Sequence, residues 1–403
     1  MSTSGSSQDT QTIDGPVRDI EAIARMKPIS ADSHVVEPPH CYSDHIDPKY
    51  RNTAPRIVNE GDKGDRYVIE GLPEQVPLNM AAVAGEDPAT FGRKGVIFSD
   101  LHRGAWSSKD RLPCQDRDGV VAEIIYPTVG MLLCNHPDYD YKHACFQAYN
   151  KWMTEFMADA PGRVFGLGQT AGRSPAEMVD DLQKIKEAGL VGVMMPGIPA
   201  MEDYDSEIYD PVWRAAVELK LPISFHILTS SRPNPAAIER DPTRGPKINS
   251  FHGFIRAIQD LIGMFVFTGV FDRHPDLKMV SAEADAGWAP HFAYRMDHAY
   301  KIHRVYMNNK TLQKKPSEYF NENVYMTFQD DFVAFDLADH AKGPYLNTKR
   351  LLWANDFPHS DSTWPHSKEL LVAQTTRMKI DTLKDVVHNN TAELYGLEYR
   401  IRY

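Results

Sequence analysis

Long apolar runs, paired cysteines and an excess of positive charge are all missing from this chain of 403 residues. No segment has the unbroken apolar length that a bilayer crossing requires, which argues against a membrane protein. Cys41, Cys114, Cys134 and Cys145 form no Cys-x-x-Cys pair and are too sparse for a disulfide scaffold, so inert thiols in a reducing cytoplasm are expected. Lys and Arg number 44 against 55 Asp and Glu, a net charge of -11. Such a surface disfavours nucleic-acid and anionic-membrane partners, because phosphates and acidic lipids repel it. Internal repeats and low-complexity tracts are absent too. Residues 1–27, rich in Ser, Thr, Gln and Asp, lack the apolar core of a signal peptide and read as a polar arm, disordered or lying on a partner subunit.

What is present is a regular alternation of strand and helix patterns. Short apolar runs at Pro28–Asp32, Val120–Tyr126, Val164–Gly168, Val191–Met195, Pro222–Ile227, Lys278–Ala282, Asn323–Phe328 and Arg350–Ala354 read as strands. Between them, segments such as Tyr141–Ala158, Ala176–Ala188, Val212–Leu219, Ile255–Phe271 and Trp288–Tyr300 repeat apolar residues at helical spacing. Eight strands alternating with helices predict an α/β fold, a distorted (β/α)8 TIM barrel formed by residues 28–403. The stretch from about Tyr50 to Pro113, rich in Gly, Pro and charge, is expected to be an insertion or lid after the first strand.

Four of these strands end in residues that bind metals. In extended chain, residues two apart point to one side, so Asp32 and His34 can serve one ion while Ser33 faces away. His226 closes the run Leu-Pro-Ile-Ser-Phe-His, Glu283 follows Ser-Ala, and Asp356 follows Leu-Leu-Trp-Ala-Asn. Taken singly, each has a plainer role: a strand-end hydrogen-bonded pair, a satisfied core histidine, or a salt bridge from Glu283 or Asp285 to Arg295. A carboxylate directly after an apolar strand, however, is costly to bury unpaired. Strand C-termini converge on the catalytic rim of a barrel, so two His and two or three carboxylates meeting there describe a divalent-metal site.

Together, Asp32-x-His34-x-x-Glu37-Pro38, His226, the run Asp272–Lys278 leading into Glu283, and Trp353–Ser360 resemble the amidohydrolase-related family of the amidohydrolase superfamily. That group includes aminocarboxymuconate semialdehyde decarboxylase and the non-oxidative decarboxylases of hydroxybenzoates. The resemblance implies one divalent metal, Zn first and Mn second, held by Asp32, His34, His226 and Asp356. It also implies a small-molecule substrate and a homodimer. Glu283 departs from the pattern, since those decarboxylases usually carry a catalytic His near that position. Two reactions fit. In decarboxylation of an aromatic or unsaturated acid, Asp356 protonates the carbon that loses carbon dioxide, and Arg51, Arg56 or Arg103 would clamp the acid. In hydrolysis of an amide, ester or activated C–C bond, Asp356 or Glu283 takes a proton from water. A non-catalytic metal-binding barrel is the third possibility. His359, His366 and Asp361 follow Asp356 closely and read either as residues that orient the ligands or as surface loop residues. Trp288, Trp353 and Trp364 read as pocket wall or core.

Overall fold

The computed structural model describes residues 19–73, 76–91, 95–229, 247–340, 345–376 and 378–402. Its first strand, β1 (Ile29–Val35), is buried at every position. Three short strands, β2 (Arg56–Asn59), β3 (Asp65–Val68) and β4 (Val76–Pro77), then form a separate antiparallel sheet within the expected insertion. The remaining strands are β5 (Ala122–Pro127), β6 (Val164–Gly166), β7 (Gly168–Gln169), β8 (Val193–Met194), β9 (Ile223–His226), β10 (Met279–Ala282), β11 (Val324–Phe328) and β12 (Leu351–Trp353). All pair in parallel, in the orders β1-β5-β6 and β7-β8-β9-β10-β11-β12. Their apolar, β-branched-rich sequences suit strands covered on both faces.

The two sheets continue into one another at both ends. Between β6 and β7 only Leu167 interrupts, and its N–H donates to Ile125 O at 3.0 Å while Val191 N–H donates to Gly166 O at 3.1 Å. Between β12 and β1, His34 N–H donates to Phe357 O at 2.7 Å and Asp356 N–H donates to Asp32 O at 3.0 Å. Counting β6 and β7 as one interrupted stave, eight parallel staves surround a single apolar core. The seam that closes them is made by Asp32, His34 and Asp356, three of the residues expected at the metal site.

Helices cover the outside for reasons legible in their sequences. Pro175–Glu187 begins with a Ser174 side chain accepting from Glu177 N–H, and Met178, Leu182 and Ile185 recur on its buried face. Each such buried side chain contributes about 1.5–3 kcal/mol. Tyr139–Ala158 is capped by Asp138, which accepts from two backbone N–H groups. The polar arm expected over 1–27 needs correction at its end: Asp19 caps a helix, Ile20–Met26, whose Ile23 is buried and which packs on the helix Ser367–Gln374. Residues 1–18 of that arm lie outside the described residues, as do 74–75 and 92–94 of the insertion. All four cysteines are free and buried. Among the described residues, no helix is long and apolar enough to cross a membrane.

Candidate metal centre

The ends of β1, β9 and β10 and the turn after β12 deliver Asp32, His34, His226, Glu283 and Asp356 to one point. His34 Nε2 lies 3.4 Å from Asp32 Oδ1, 3.5 Å from Asp356 Oδ1, 3.6 Å from Glu283 Oε2 and 3.2 Å from His226 Nε2. His226 Nε2 in turn lies 3.5 Å from Asp32 Oδ1 and 3.2 Å from Glu283 Oε2. The five residues predicted from the sequence gather there in two overlapping groups that share His34: Asp32, His34 and His226, and His34, Glu283 and Asp356 together with His359. His34, His226 and Asp356 are fully buried, and Asp32 nearly so.

The imidazoles are oriented from behind. His34 Nδ1 faces Pro127 O at 3.2 Å, and His226 Nδ1 faces Ile227 O at 3.1 Å. A carbonyl only accepts, so in the neutral form of each ring Nδ1 carries the proton and Nε2 is the nitrogen left for a metal. The two Nε2 atoms, 3.2 Å apart and ringed by carboxylate oxygens, need a proton or a cation between them. Asp32 Oδ1 and both oxygens of Asp356 have no hydrogen-bond partner, although the cost of burying such an atom unpaired is severe. Ligands bound at about 2.1 Å stand roughly 3.0 Å apart at right angles and roughly 3.4 Å apart in a tetrahedron. The observed separations are close to those edges, so the residues present fit a divalent ion.

The electrostatics express the same demand. Burial alone would raise the Asp32 carboxyl, but His226 and His34 outweigh it and hold it well below the usual carboxylate range. Burial opposes charge on His34, yet Asp32 and Glu283 overcome it and lift its pKa to about 9, a proton standing in for the cation. Asp356 is driven well above the ordinary range by burial, then by Glu283, Asp32 and Asp361. Two carboxylates are aimed by unusual backbone: Glu283 has φ 54° and Asp356 φ 50°, left-handed values that cost a non-glycine residue about 1–3 kcal/mol.

Thr327 has no place in the sequence reading of the site. Thr327 donates to Asp32 Oδ2 at 2.7 Å and accepts from Glu283 N–H at 2.8 Å, so one hydroxyl fixes two carboxylate residues. Its signal is a lone hydroxyl in the apolar strand Val-Tyr-Met-Thr-Phe. His359 is buried, not on a surface loop: its ring stacks on His34 at 3.9 Å, Nδ1 lies 3.2 Å from Asp356 Oδ1, and Nε2 meets Thr128 Oγ1 at 2.8 Å. Burial, then His34 and His226, hold its pKa well below the ordinary histidine value. His366 is exposed, and Asp361 lies on the rim accepting from Gln329 Nε2 at 2.9 Å. Trp353 is core, and Trp364 packs on Phe357 behind the Asp356 turn.

The three arginines expected to clamp an acid are engaged or placed elsewhere. Arg56 faces Glu70 at 3.5 Å, Arg103 faces Asp110 at 3.2 Å, and Arg51 is exposed in a short 3-10 helix. Away from the rim, a separate group of donors, His143, Glu177 and Asp181, sits between two outer helices. Asp181 there already accepts from Thr170 at 2.7 Å and Gln147 at 2.8 Å, and Glu177 pairs with Arg173.

Residues 138–397 match the family model described as Amidohydrolase. The chain belongs to the amidohydrolase family. Among curated amidohydrolase relatives, a gamma-resorcylate decarboxylase from Polaromonas sp. strain JS666 is 25% identical over 232 residues, which is 52% of this chain and 64% of that protein. The match therefore spans less than two thirds of that relative. Among solved structures, an amidohydrolase from Mycobacterium avium subsp. paratuberculosis K-10 superposes with a TM-score of 0.73 at 21% identity, covering 92% of this chain and 99% of that one. A 5-carboxyvanillate decarboxylase from Novosphingobium aromaticivorans, complexed with manganese and 4-hydroxy-3-methoxy-5-nitrobenzoic acid, gives 0.67 at 18%, covering 92% and 96%. These likenesses establish the amidohydrolase barrel as the fold.

Proposed function

We propose that this amidohydrolase is a metal-dependent, non-oxidative decarboxylase of an aromatic or unsaturated carboxylic acid. The observation that carries the reading is the approach of two imidazole Nε2 atoms to buried carboxylate oxygens that lack hydrogen-bond partners, those of Asp356 among them. Asp32, His34, His226 and Asp356 would hold one divalent ion, which when bound supplies positive charge for a substrate carboxylate and its neighbouring hydroxyl. Zinc is the ion expected from the residue types, and manganese, present in the related 5-carboxyvanillate decarboxylase, is the other candidate.

Within this reading, the chain's own groups divide the work. Asp356 delivers a proton to the carbon bearing the carboxylate. The C–C bond then breaks, its electron pair returns to the ring or alkene, and carbon dioxide leaves. His359 lies against Asp356 on one side and Thr128 on the other, and so keeps the acid aimed. Tyr126, buried, packs its ring 5.1 Å from that of His226 and 5.9 Å from that of His34 and so helps hold both imidazoles. The gamma-resorcylate and 5-carboxyvanillate decarboxylases among the similar proteins support this reaction class.

One observation favours hydrolysis as a second reading. Glu283, Asp285 and Asp361 stand together at the mouth, and Arg51, Arg56 and Arg103 contribute no clamp there. A neutral amide or ester meets no repulsion from such a mouth, with Asp356 or Glu283 taking the proton from water.

The test begins with elemental analysis of the purified protein and of a His34→Ala, His226→Ala double variant. About one Zn or Mn per chain, lost in the variant, is the expected outcome. Hydroxybenzoates are then screened for carbon dioxide release, and amides and esters for hydrolysis. Turnover confined to the second panel would replace decarboxylation with hydrolysis. A homodimer is part of the same proposal and is checked by sedimentation.

A further inference from the structure

We infer that Glu37 and Thr128 are positioning residues for Asp356: Glu37 caps the turn after β5, which frees the Thr128 hydroxyl to hold His359 in place beside the Asp356 carboxyl. This rests on the proton-transferring role proposed for Asp356 above and adds the two residues that aim it.

The motif that supplies Asp32 and His34 also supplies Glu37, yet Glu37 is in neither donor group at the rim. Its side chain is fully buried. Oε2 accepts from Thr128 N–H at 3.2 Å and Val129 N–H at 2.9 Å, and Oε1 accepts from Gly130 N–H at 3.1 Å and from the Tyr42 hydroxyl at 3.3 Å. Three consecutive backbone N–H groups thus end on one acid. The turn is tight on its other side as well, since a side chain at Gly130 would strike Gln169 and Pro127.

Thr128 stands directly ahead of the helix Val129–Leu133, where a threonine hydroxyl ordinarily accepts from the backbone N–H two or three residues on. It makes no such bond here. With the Gly130 N–H already taken by Glu37, Thr128 Oγ1 lies instead 2.8 Å from His359 Nε2. A threonine cap would serve the turn without burying a charged group, which is costly even when hydrogen-bonded. What Glu37 adds is the hydroxyl that reaches His359.

His359 needs that contact. Its ring stacks on His34 at 3.9 Å, and its N–H donates to Asp356 O at 3.0 Å. Stacking is indifferent to a half-turn of the ring, which would put a carbon where Nδ1 stands. The contact of Nε2 with Thr128 singles out the orientation that sets Nδ1 3.2 Å from Asp356 Oδ1. Glu37, Thr128, His359 and Asp356 form one chain of contacts from behind β5 to the reacting group.

The test compares the full native chain with Thr128→Val, Thr128→Ser and Glu37→Gln, each checked for folding by circular dichroism. Crystal structures come first, because they need no substrate. In Thr128→Val the His359 ring should turn away from Asp356, and in Thr128→Ser it should keep its native place. Glu37→Gln offers one accepting oxygen where the acid offers two, so Thr128 Oγ1 should swing back to accept from Gly130 or Met131 N–H and release His359. If Glu37→Gln does not fold, Glu37→Asp, too short to reach all three N–H groups, gives the same readout. With whichever hydroxybenzoate or ester the native protein turns over, kcat should fall roughly 10- to 100-fold in Thr128→Val with little change in KM. Thr128→Ser should recover most of that loss. An unmoved His359 in Thr128→Val, or Thr128 still against His359 in the Glu37 variant, would overturn the inference and leave the metal centre and the reaction class standing. A displaced His359 ring with undiminished kcat would overturn it too. Absence of turnover by native protein counts against the proposed reaction, and the crystal structures then decide the inference by themselves.

Discussion

At the scale of single residues, three oxygens of the site, Asp32 Oδ1 and both of Asp356, are buried without a hydrogen-bond partner, while the atoms around them are held. Thr327 is the test of how finely this is arranged, since its hydroxyl couples Asp32 to the Glu283 backbone. Thr327→Val keeps the shape and removes the coupling. Metal affinity should fall roughly 10- to 100-fold with little change in unfolding midpoint, read by calorimetric titration and urea melts. Asp285 shows the opposite condition, an acid with no compensating charge. Burial, then Asp331, Asp361, Glu283 and Asp330, lift its carboxyl from 3.8 to about 7. The folded protein thus holds a proton that the unfolded chain releases between those values, so this contribution is complete below about pH 4 and is lost as pH rises through 7. Asp285→Asn should raise the melting temperature above pH 7 by roughly 1–3 °C and make no difference below pH 4, measured by scanning calorimetry.

Among elements, the decisive contact is the seam between β12 and β1, and a helix of the first crossover locks it. Arg111, on the helix Ser108–Asp118, is fully buried and pairs with Glu123 of β5. Its guanidinium also donates to His34 O at 2.7 Å, Gly104 O at 3.1 Å and Phe357 O at 3.0 Å. One side chain thereby ties the His34 strand end to the Asp356 turn. Below it, Asn355 accepts from Ser33 at 2.9 Å and donates to Asp118 at 3.0 Å. Arg111→Met should destabilise the fold by about 3–5 kcal/mol in urea unfolding, because the buried Glu123 loses its guanidinium partner and keeps only the Gln115 and Ser33 hydrogen bonds. Adding Glu123→Leu should return a good part of that loss, a coupling seen in a double-mutant cycle.

For the whole molecule, charge sets the terms on which a substrate arrives. The chain carries a net charge of -11, and Glu283, Asp285, Asp330, Asp331 and Asp361 gather at the rim. An anionic substrate approaches against this field, and salt relieves it: the screening length falls from about 30 Å at 10 mM to about 8 Å at 150 mM. kcat/KM for a carboxylate substrate should therefore rise severalfold over that range, and for a neutral ester stay level. Steady-state kinetics at fixed pH read both.

The sequence by itself determined the order of strands and helices, because apolar periodicity is a local property that burial then selects. It also determined which residues could bind a metal: Asp32 and His34 share a face by strand geometry, and Asp356 follows an apolar strand where a buried carboxylate needs a metal, a cation or several donors. Tertiary structure decided the rest. His359 looks like a loop residue until the Asp-Phe-Pro-His turn folds its ring onto His34. Arg51, Arg56 and Arg103 look available until the insertion supplies partners for two of them and leaves the third in solvent. Glu283 is one acid among many until β10 sets its oxygen beside two imidazole nitrogens contributed from positions far away in the chain. Distances of this kind depend on how strands 50 to 250 residues apart come into register, and no local pattern of residues encodes them.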